Sequence, residues 1–228
     1  MKAFILAAGK GQRLKPLTNN TPKPLVSIKG KPLLEWNLLK LKSAGIKDVL
    51  INLHYLGDEI INYFGDGKSL DLNIQYSKEQ NLLGTGGALI QGKSFLNDSP
   101  FILVSGDLWT NYPFSRLVTK DLKSKAHLVL IKDHTKLDGD FNLVDSNISA
   151  STKNNEFTYS GISLIDPSII PNEEPTVKEL WKDILEPHVE QKQLTGEVFH
   201  GLVKNINNVS DICLLYTSPS PRDTLLSR

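Results

Sequence analysis

Met1 to Leu25 reads MKAFILAAGKGQRLKPLTNNTPKPL, and the rest of the chain is organised around it. Ala3-Phe4-Ile5-Leu6-Ala7-Ala8 is a short apolar run that ends at a glycine. A run of that length bounded by glycine predicts a fully buried strand. The turn Gly9-Lys10-Gly11-Gln12-Arg13 follows directly. Without a Cβ, glycine lets the backbone turn sharply and bring its N–H groups close to an anion. Arg13 adds a permanent, forked positive charge suited to phosphate oxygens. Pro22 and Pro24 flank Lys23 and limit how far its backbone can wander. Together these features predict a phosphate cradle with two cations aimed into it.

Each part has a plainer reading when taken alone. A glycine turn after a strand is most often only a turn, and a lone Arg or Lys is most often a solvated charge. The turn is not a Walker loop, because no Gly-Lys-Ser/Thr closes it. It is a poor dinucleotide fingerprint, because Leu14 stands where the third glycine belongs. That disfavours a nicotinamide-dependent oxidoreductase.

Outward from the cradle, Val26 to Leu33 predicts a short strand and turn. Leu34 to Ala44 carries apolar residues at helical spacing, and Gly45 closes that helix. Val49 to Leu53 predicts a buried strand, Gly57 to Phe64 a helix, and Leu72 to Tyr76 a strand by alternation. Strand, helix, strand in sequence predicts parallel βαβ units with right-handed crossovers. Glu79 to Gly87, EQNLLGTGG, is a glycine-rich loop with a helix expected over Ala88 to Leu96. Phe101 to Val104 is another buried strand, with Ser105-Gly106-Asp107 at its carboxyl end. Open α/β sheets bind ligands there. A carboxylate at that rim can hold a hard cation or simply cap a turn. His127 to Ile131 predicts a further strand near Lys132 and His134, a loop histidine. Thr176 to Gln191 predicts a helical region with Leu180, Ile184, Leu185 and Val189 inward, broken near Pro187.

The 228 residues suffice for one large α/β domain with its own core. The content of 39% apolar and 22% charged residues suits a soluble globular chain. A net charge of +1 sets up no bulk field for nucleic acid or membrane. A single cysteine excludes disulfides within the chain. No apolar stretch is long enough to span a bilayer, and the Ala3–Ala8 run is short and leads into the turn. A cytoplasmic location is expected. Leu214 to Arg228, LLYTSPSPRDTLLSR, resembles translated adapter read-through. The domain is therefore expected to span 1–213, with 214–228 a non-native or disordered tail and the native C-terminus missing.

The N-terminal string closely resembles the sugar nucleotidyltransferase signature, L-A-A-G-x-G-x-R-L-x-P-L-T followed by P-K-P. It matches at Leu6, Ala7, Ala8, Gly9, Gly11, Arg13, Leu14, Pro16, Leu17, Thr18, Pro22, Lys23 and Pro24. The resemblance implies a Rossmann-like, GT-A-like three-layer α/β fold with a mostly parallel central sheet. It also implies an enzyme that joins a nucleoside triphosphate to a sugar 1-phosphate and releases pyrophosphate. Arg13, Lys23 and Asp107 would be catalytic. Leu6, Ala7, Ala8, Gly9, Gly11, Gln12, Glu79, Gly84 and Thr85, with both cations, would hold the nucleotide. Asp107 and Asn205 would hold Mg²⁺. Asn205 falls in Gly201-Leu202-Val203-Lys204-Asn205-Ile206-Asn207-Asn208, which is similar to the family's G-x-W-x-D-V-G-T with Val203, Asn207 and Asn208 departing from it. Ser105, Gly139, Ser160 and Gly161 would line the sugar pocket, through elements resembling G-D-F and T-F/Y-S-G-I.

The stretch after Asp107 resembles the branch that acts on N-acetylmuramate 1-phosphate with UTP, in which Asn usually stands where Ser105 does here. Mannose or glucose 1-phosphate with GTP, dTTP or UTP is the alternative pairing. A non-catalytic nucleotide-sugar sensor is the alternative role. The partners expected are these two small molecules, with no nucleic acid and no membrane.

Overall fold

The computed structural model describes residues 1–97, 99–133, 138–150 and 154–217. The first half alternates strand and helix. β1 (Ala3–Leu6) leads through the glycine turn to a small hairpin, β2 (Ser27–Ile28) and β3 (Lys31–Pro32), and then to α1 (Leu33–Ser43). β4 (Asp48–Leu53), α2 (Gly57–Phe64), β5 (Asn73–Lys78), α3 (Gly84–Gln91), α4 (Lys93–Leu96) and β6 (Phe101–Ser105) follow. The second half adds β7 (Leu108–Thr110), α5 (Ser115–Val118), β8 (Ala126–Ile131), β9 (Asn142–Val144), β10 (Asn147–Ser149) and β11 (Thr158–Ile165). It closes with β12 (Leu194–Val198), β13 (Val203–Asn205) and α6 (Val209–Thr217). Among the described residues no helix is long and apolar enough to cross a membrane.

The main sheet has nine strands in the order β5-β4-β1-β6-β11-β8-β12-β10-β9. β5, β4, β1 and β6 are mutually parallel. β11 lies antiparallel between β6 and β8, and β12 runs parallel to β8. Only β11 and β10 run against the common direction among the described strands of this sheet. β1, β4, β6 and β8 read as nearly continuous apolar runs because both faces are covered. Successive side chains leave opposite faces. Ala3 and Ile5 therefore join Leu34, Leu38 and Leu41 of α1 on one side. Phe4 joins Ala88, Leu89 and Leu96 of α3 and α4 on the other.

Two helix expectations meet a different structure. α3 begins at Gly84, inside the expected loop of Glu79 to Gly87, and Gly92 separates it from α4. The chain over 176–179 is extended rather than helical. Lys178 accepts from the backbone N–H of Gly86 (2.8 Å) and donates its own to the Leu83 carbonyl (2.9 Å). Only Leu180–Leu185 and Glu186–His188 form helical turns beyond it. This strap lies so close to α3 that side chains cannot fit between. A Cβ on Gly87 would sit 2.1 Å from the Thr176 carbonyl oxygen, and one on Gly84 2.5 Å from that of Lys178.

At the C-terminal end, α6 carries the chain past the expected boundary at 213. Leu215 is 3% exposed and packs with Ile28, Leu33, Trp109 and Ile206. The Tyr216 hydroxyl accepts from the Lys29 backbone N–H at 3.2 Å. The apolar face of α6 thus needs Leu215 to complete this small cluster. The remainder of the expected tail, 218–228, lies outside the described residues, as does His134.

Gly87→Ala is expected to destabilise the protein by about 1–3 kcal/mol, because backbone rather than a flexible side chain must give way. For a chain of this size each kcal/mol lowers Tm by roughly 2–4 °C. An unchanged Tm by calorimetry would show that the strap yields freely.

Candidate functional site

Chain direction places the site. From β1 the chain winds through β4 to β5 on one side, then crosses to β6 on the other. The winding reverses at β1, and in open α/β sheets the crevice at such a point, outside the carboxyl ends of the strands, receives ligands. A cleft of about 630 Å³ opens there.

Its floor is the turn after β1. Gly11 adopts φ +61°, and a Cβ on it would press against Lys23 Cβ at 3.0 Å and Thr18 Cγ2 at 3.1 Å. The Thr18 hydroxyl donates to the Gly11 carbonyl (2.8 Å), so the turn is locked on the segment that carries Lys23. Leu14 is fully buried beneath it. One wall is a buried polar relay. Asn52, at the end of β4, accepts from the Ala7 N–H (2.6 Å) and donates to Glu79 (2.6 Å). Glu79 in turn accepts from the Leu83 N–H (3.0 Å). Buried polar groups must be paired, and this pairing ties β1, β4 and the start of α3 into one rim.

The charged wall forms between distant segments. Lys23 Nζ donates to Asp107 Oδ2 at 2.6 Å, with side-chain exposures of 13% and 29%. Asn207 Oδ1 accepts from Arg13 Nη2 at 2.9 Å and from Lys23 Nζ at 3.3 Å. On this wall two cations thus face one carboxylate and one neutral carbonyl, while the cleft's other carboxylate, Glu79, is taken up by Asn52 and the Leu83 N–H on the opposite wall.

Every residue expected to hold a nucleotide lines this cleft: 6–9, 11–13, Lys23, Glu79, Gly84 and Thr85. Asp107 and Ser105 line it too. The glycines of the Gly84–Gly87 stretch divide in role. Gly84 both lines the cleft, as Thr85 does, and admits the strap, whereas Gly86 and Gly87 serve only the approach of the strap. Thr85 Oγ1 also accepts from the Leu180 N–H (2.9 Å).

Asn205 does not reach the lining. It ends β13 opposite Leu108, where the Ile206 N–H donates to the Asp107 carbonyl (2.9 Å), and it is exposed. The side chain that lines the cleft is Asn207, two positions on. Asn52 and Leu82 carry no marker in the sequence, and Asn207 stands out there only as a departure from the family's G-x-W-x-D-V-G-T. Asn52 looks like one more polar residue at a strand end, and its role needs β1 and Glu79 beside it.

A second chamber of about 610 Å³ adjoins the first and shares Leu6, Thr85 and Ser105 with it. Gly139 lines it, with Asp138, Asp140, Asn155 and Glu179 supplying polar atoms. Ser160 and Gly161 do not line it. They form a bulge in β11, where the pairing to β8 shifts between Tyr159 and Ile162. The Ser160 hydroxyl is fully buried and accepts from the Ile162 N–H (3.2 Å). Gly161 has φ +86°, and a Cβ there would lie 2.6 Å from Ser105 Oγ. Both residues therefore shape the strand behind Ser105. Tyr159 lines the chamber instead. Burial pushes its hydroxyl well above the usual tyrosine range, against the opposing hydrogen bond with Ser163. Trp181, which no spacing singled out, meets Phe141 edge-on with ring centroids 4.3 Å apart.

The sequence profile of the Nucleotidyl transferase family matches residues 2–153. The chain is similar to an N-acetylmuramate alpha-1-phosphate uridylyltransferase of Neisseria meningitidis serogroup B, at 36% identity over 92% of this chain and 94% of that one. It is also similar to a mannose-1-phosphate guanyltransferase of Schizosaccharomyces pombe, at 27% identity over 92% of this chain, which spans 62% of that longer protein. The structure of HddC from Yersinia pseudotuberculosis complexed with GMP-PN superposes with a TM-score of 0.79 at 22% identity, covering 94% of this chain and 97% of that one. That last likeness concerns the fold alone.

Arg13→Ala and Lys23→Ala are each expected to weaken binding of inorganic pyrophosphate by about tenfold or more, the scale of losing one hydrogen bond to a charged group. Isothermal titration reads this directly. An unchanged affinity in either variant takes that side chain out of the anion site.

Proposed function

The chain belongs to the nucleotidyl transferase family, and on that premise we propose that it joins a nucleoside triphosphate to a sugar 1-phosphate and releases pyrophosphate. The observation that carries this reading is the meeting of two chambers at Ser105, Thr85 and Leu6, with Arg13, Lys23 and Asp107 along the first. The nucleotide would occupy the chamber behind the glycine turn and the sugar the chamber under Trp181. Their phosphates would then meet at the shared rim.

In the step itself an oxygen of the sugar phosphate attacks the α-phosphorus. The bond to the bridging oxygen breaks, and pyrophosphate leaves with the electron pair. Two anions must approach each other, so positioning and charge neutralisation govern the rate. Lys23 would neutralise charge at the α-phosphate and the attacking phosphate. Arg13 would hold the β- and γ-phosphates and stabilise the departing pyrophosphate.

The residues present suit a small hard cation. Asp107 lies in the turn between β6 and β7, and the pairing of β7 with β13 sets Asn205 opposite Leu108, the next residue, so the Asn205 side chain would have to swing in from outside the lining to share an ion with Asp107. Among the described residues no cluster of three His, Cys, Asp or Glu side chains could cage a metal. Mg²⁺ keeps water and phosphate oxygens as most of its ligands and needs only one or two from the protein. Asp107 and Asn205 would hold it, and when bound it would supply further neutralisation of phosphate charge.

For the substrates, the name of the Neisseria relative supports UTP and N-acetylmuramic acid α-1-phosphate; the product would then be UDP-MurNAc, and the proposed setting is cell-wall recycling. The apolar wall of Phe141 and Trp181 suits the acyl group of such a sugar. The Schizosaccharomyces relative supports the second pairing, mannose 1-phosphate with GTP.

The test is incubation with Mg²⁺, a nucleoside triphosphate and a panel of sugar 1-phosphates, with pyrophosphate release as the readout. Release with UTP and the N-acetylmuramic acid substrate is expected. Failure with every pair, from folded protein, would leave only a binding role. Arg13→Ala and Lys23→Ala are expected to cut turnover by roughly two orders of magnitude, and Asp107→Ala to abolish it. Asn205→Asp should be tolerated because the oxygen stays. Full activity in Asn205→Leu would remove that residue from the metal site.

A further inference from the structure

We propose that Asn207 is a positioning residue that holds the two cations ready for a polyphosphate by lending both of them one neutral oxygen. The inference rests on the reading of the cleft as a triphosphate site.

Asn207 Oδ1 accepts from Arg13 Nη2 (2.9 Å) and Lys23 Nζ (3.3 Å) at once. Like charges drawn to one point repel, and a shared acceptor offsets that repulsion. It also restricts the long Arg13 side chain, which is otherwise free to sample many rotamers. The oxygen stands where one phosphate oxygen would bridge the same two donors. Because the amide carries no net charge, it adds no negative charge beside the two cations. An arriving phosphate can then displace it, whereas a carboxylate would compete as a fixed counter-ion.

The residue is held from both sides. Its N–H donates to Asp211 Oδ2 (2.8 Å) in the first turn of α6, and the preceding N–H of Ile206 donates to the Asp107 carbonyl (2.9 Å). Capping α6 is not its task. Asn208 does that, since Asn208 Oδ1 accepts from the Asp211 N–H (2.9 Å). The side chain of Asn207 is thereby left to the cations.

Asn207→Asp and Asn207→Ala separate this role from a structural one. Asp is nearly isosteric, so a turn-forming role predicts wild-type behaviour from it and loss from Ala. The proposal predicts the reverse order for anion binding. In EDTA, which removes metal from the comparison, titration with inorganic pyrophosphate should show Asn207→Asp binding about ten- to a hundredfold more weakly than wild type. Its Tm should be unchanged. In the full assay Asn207→Asp should raise KM for the nucleoside triphosphate. Asn207→Ala should lower kcat with a smaller change in KM, because Arg13 loses its tether but no rival charge appears. Equal pyrophosphate affinity in wild type and Asn207→Asp overturns the proposal. A wild-type protein that binds no pyrophosphate instead overturns the reading of the cleft.

Discussion

A strand hydrogen-bonded on both edges and packed on both faces can release its chain only at its end. β1 is that strand. It pairs in parallel with β4 on one side and β6 on the other, with Leu6 set beside Asn52 and Ser105. Its faces are sealed by α1 on one side and by α3 and α4 on the other. The loops from β1, β4 and β6 therefore emerge together at one rim. Everything chemical in the molecule is built on that convergence.

The rim is polar because the backbone must be satisfied where the ladder stops. Asn52 takes up the first N–H beyond β1 and passes the obligation to Glu79, which passes it to Leu83. The same few ångströms hold the charges. Lys23 arrives from the turn after β1, Asp107 from β6, and Asn207 from the segment before α6. Chain separation is large, and the spatial separation is one hydrogen bond. Neutralising a polyphosphate needs cations that are already placed, and these contacts place them before any ligand arrives.

Glycine carries two different meanings here. At Gly11 the left-handed backbone and the tight contact with Lys23 require it, and the residues of the turn line the cleft. At Gly86 and Gly87 the requirement is backbone packing, because the 176–179 strap presses on α3 with no room for a Cβ. The strap then delivers Glu179, Leu180 and Trp181 to the second chamber. A glycine-rich loop that looks made for a ligand is thus partly made for another piece of chain, and it acts on the ligand through what that piece carries.

The sequence by itself determined the βαβ half of the fold, the glycine turn and the two cations, because those signals are local. An apolar run between glycines, helical spacing, and an Arg and a Lys near a turn all act over a few residues. It also marked Asp107, since a strand end in an open sheet is a predictable place. What only the tertiary structure decided depends on contacts between segments far apart. The extended strap at 176–179 replaces a helix because its hydrogen bonds go to α3. Ser160 and Gly161 shape a bulge rather than a pocket because the register with β8 shifts there. Asn207 rather than Asn205 faces the cations because Asn205 is the last paired residue of β13 and its side chain stays outside the lining that Asn207 reaches before α6 begins. Leu215 belongs to the core because α6 folds back on Trp109. None of these leaves a periodic or compositional trace, since each follows from which backbone groups and surfaces remain unsatisfied once the sheet has formed.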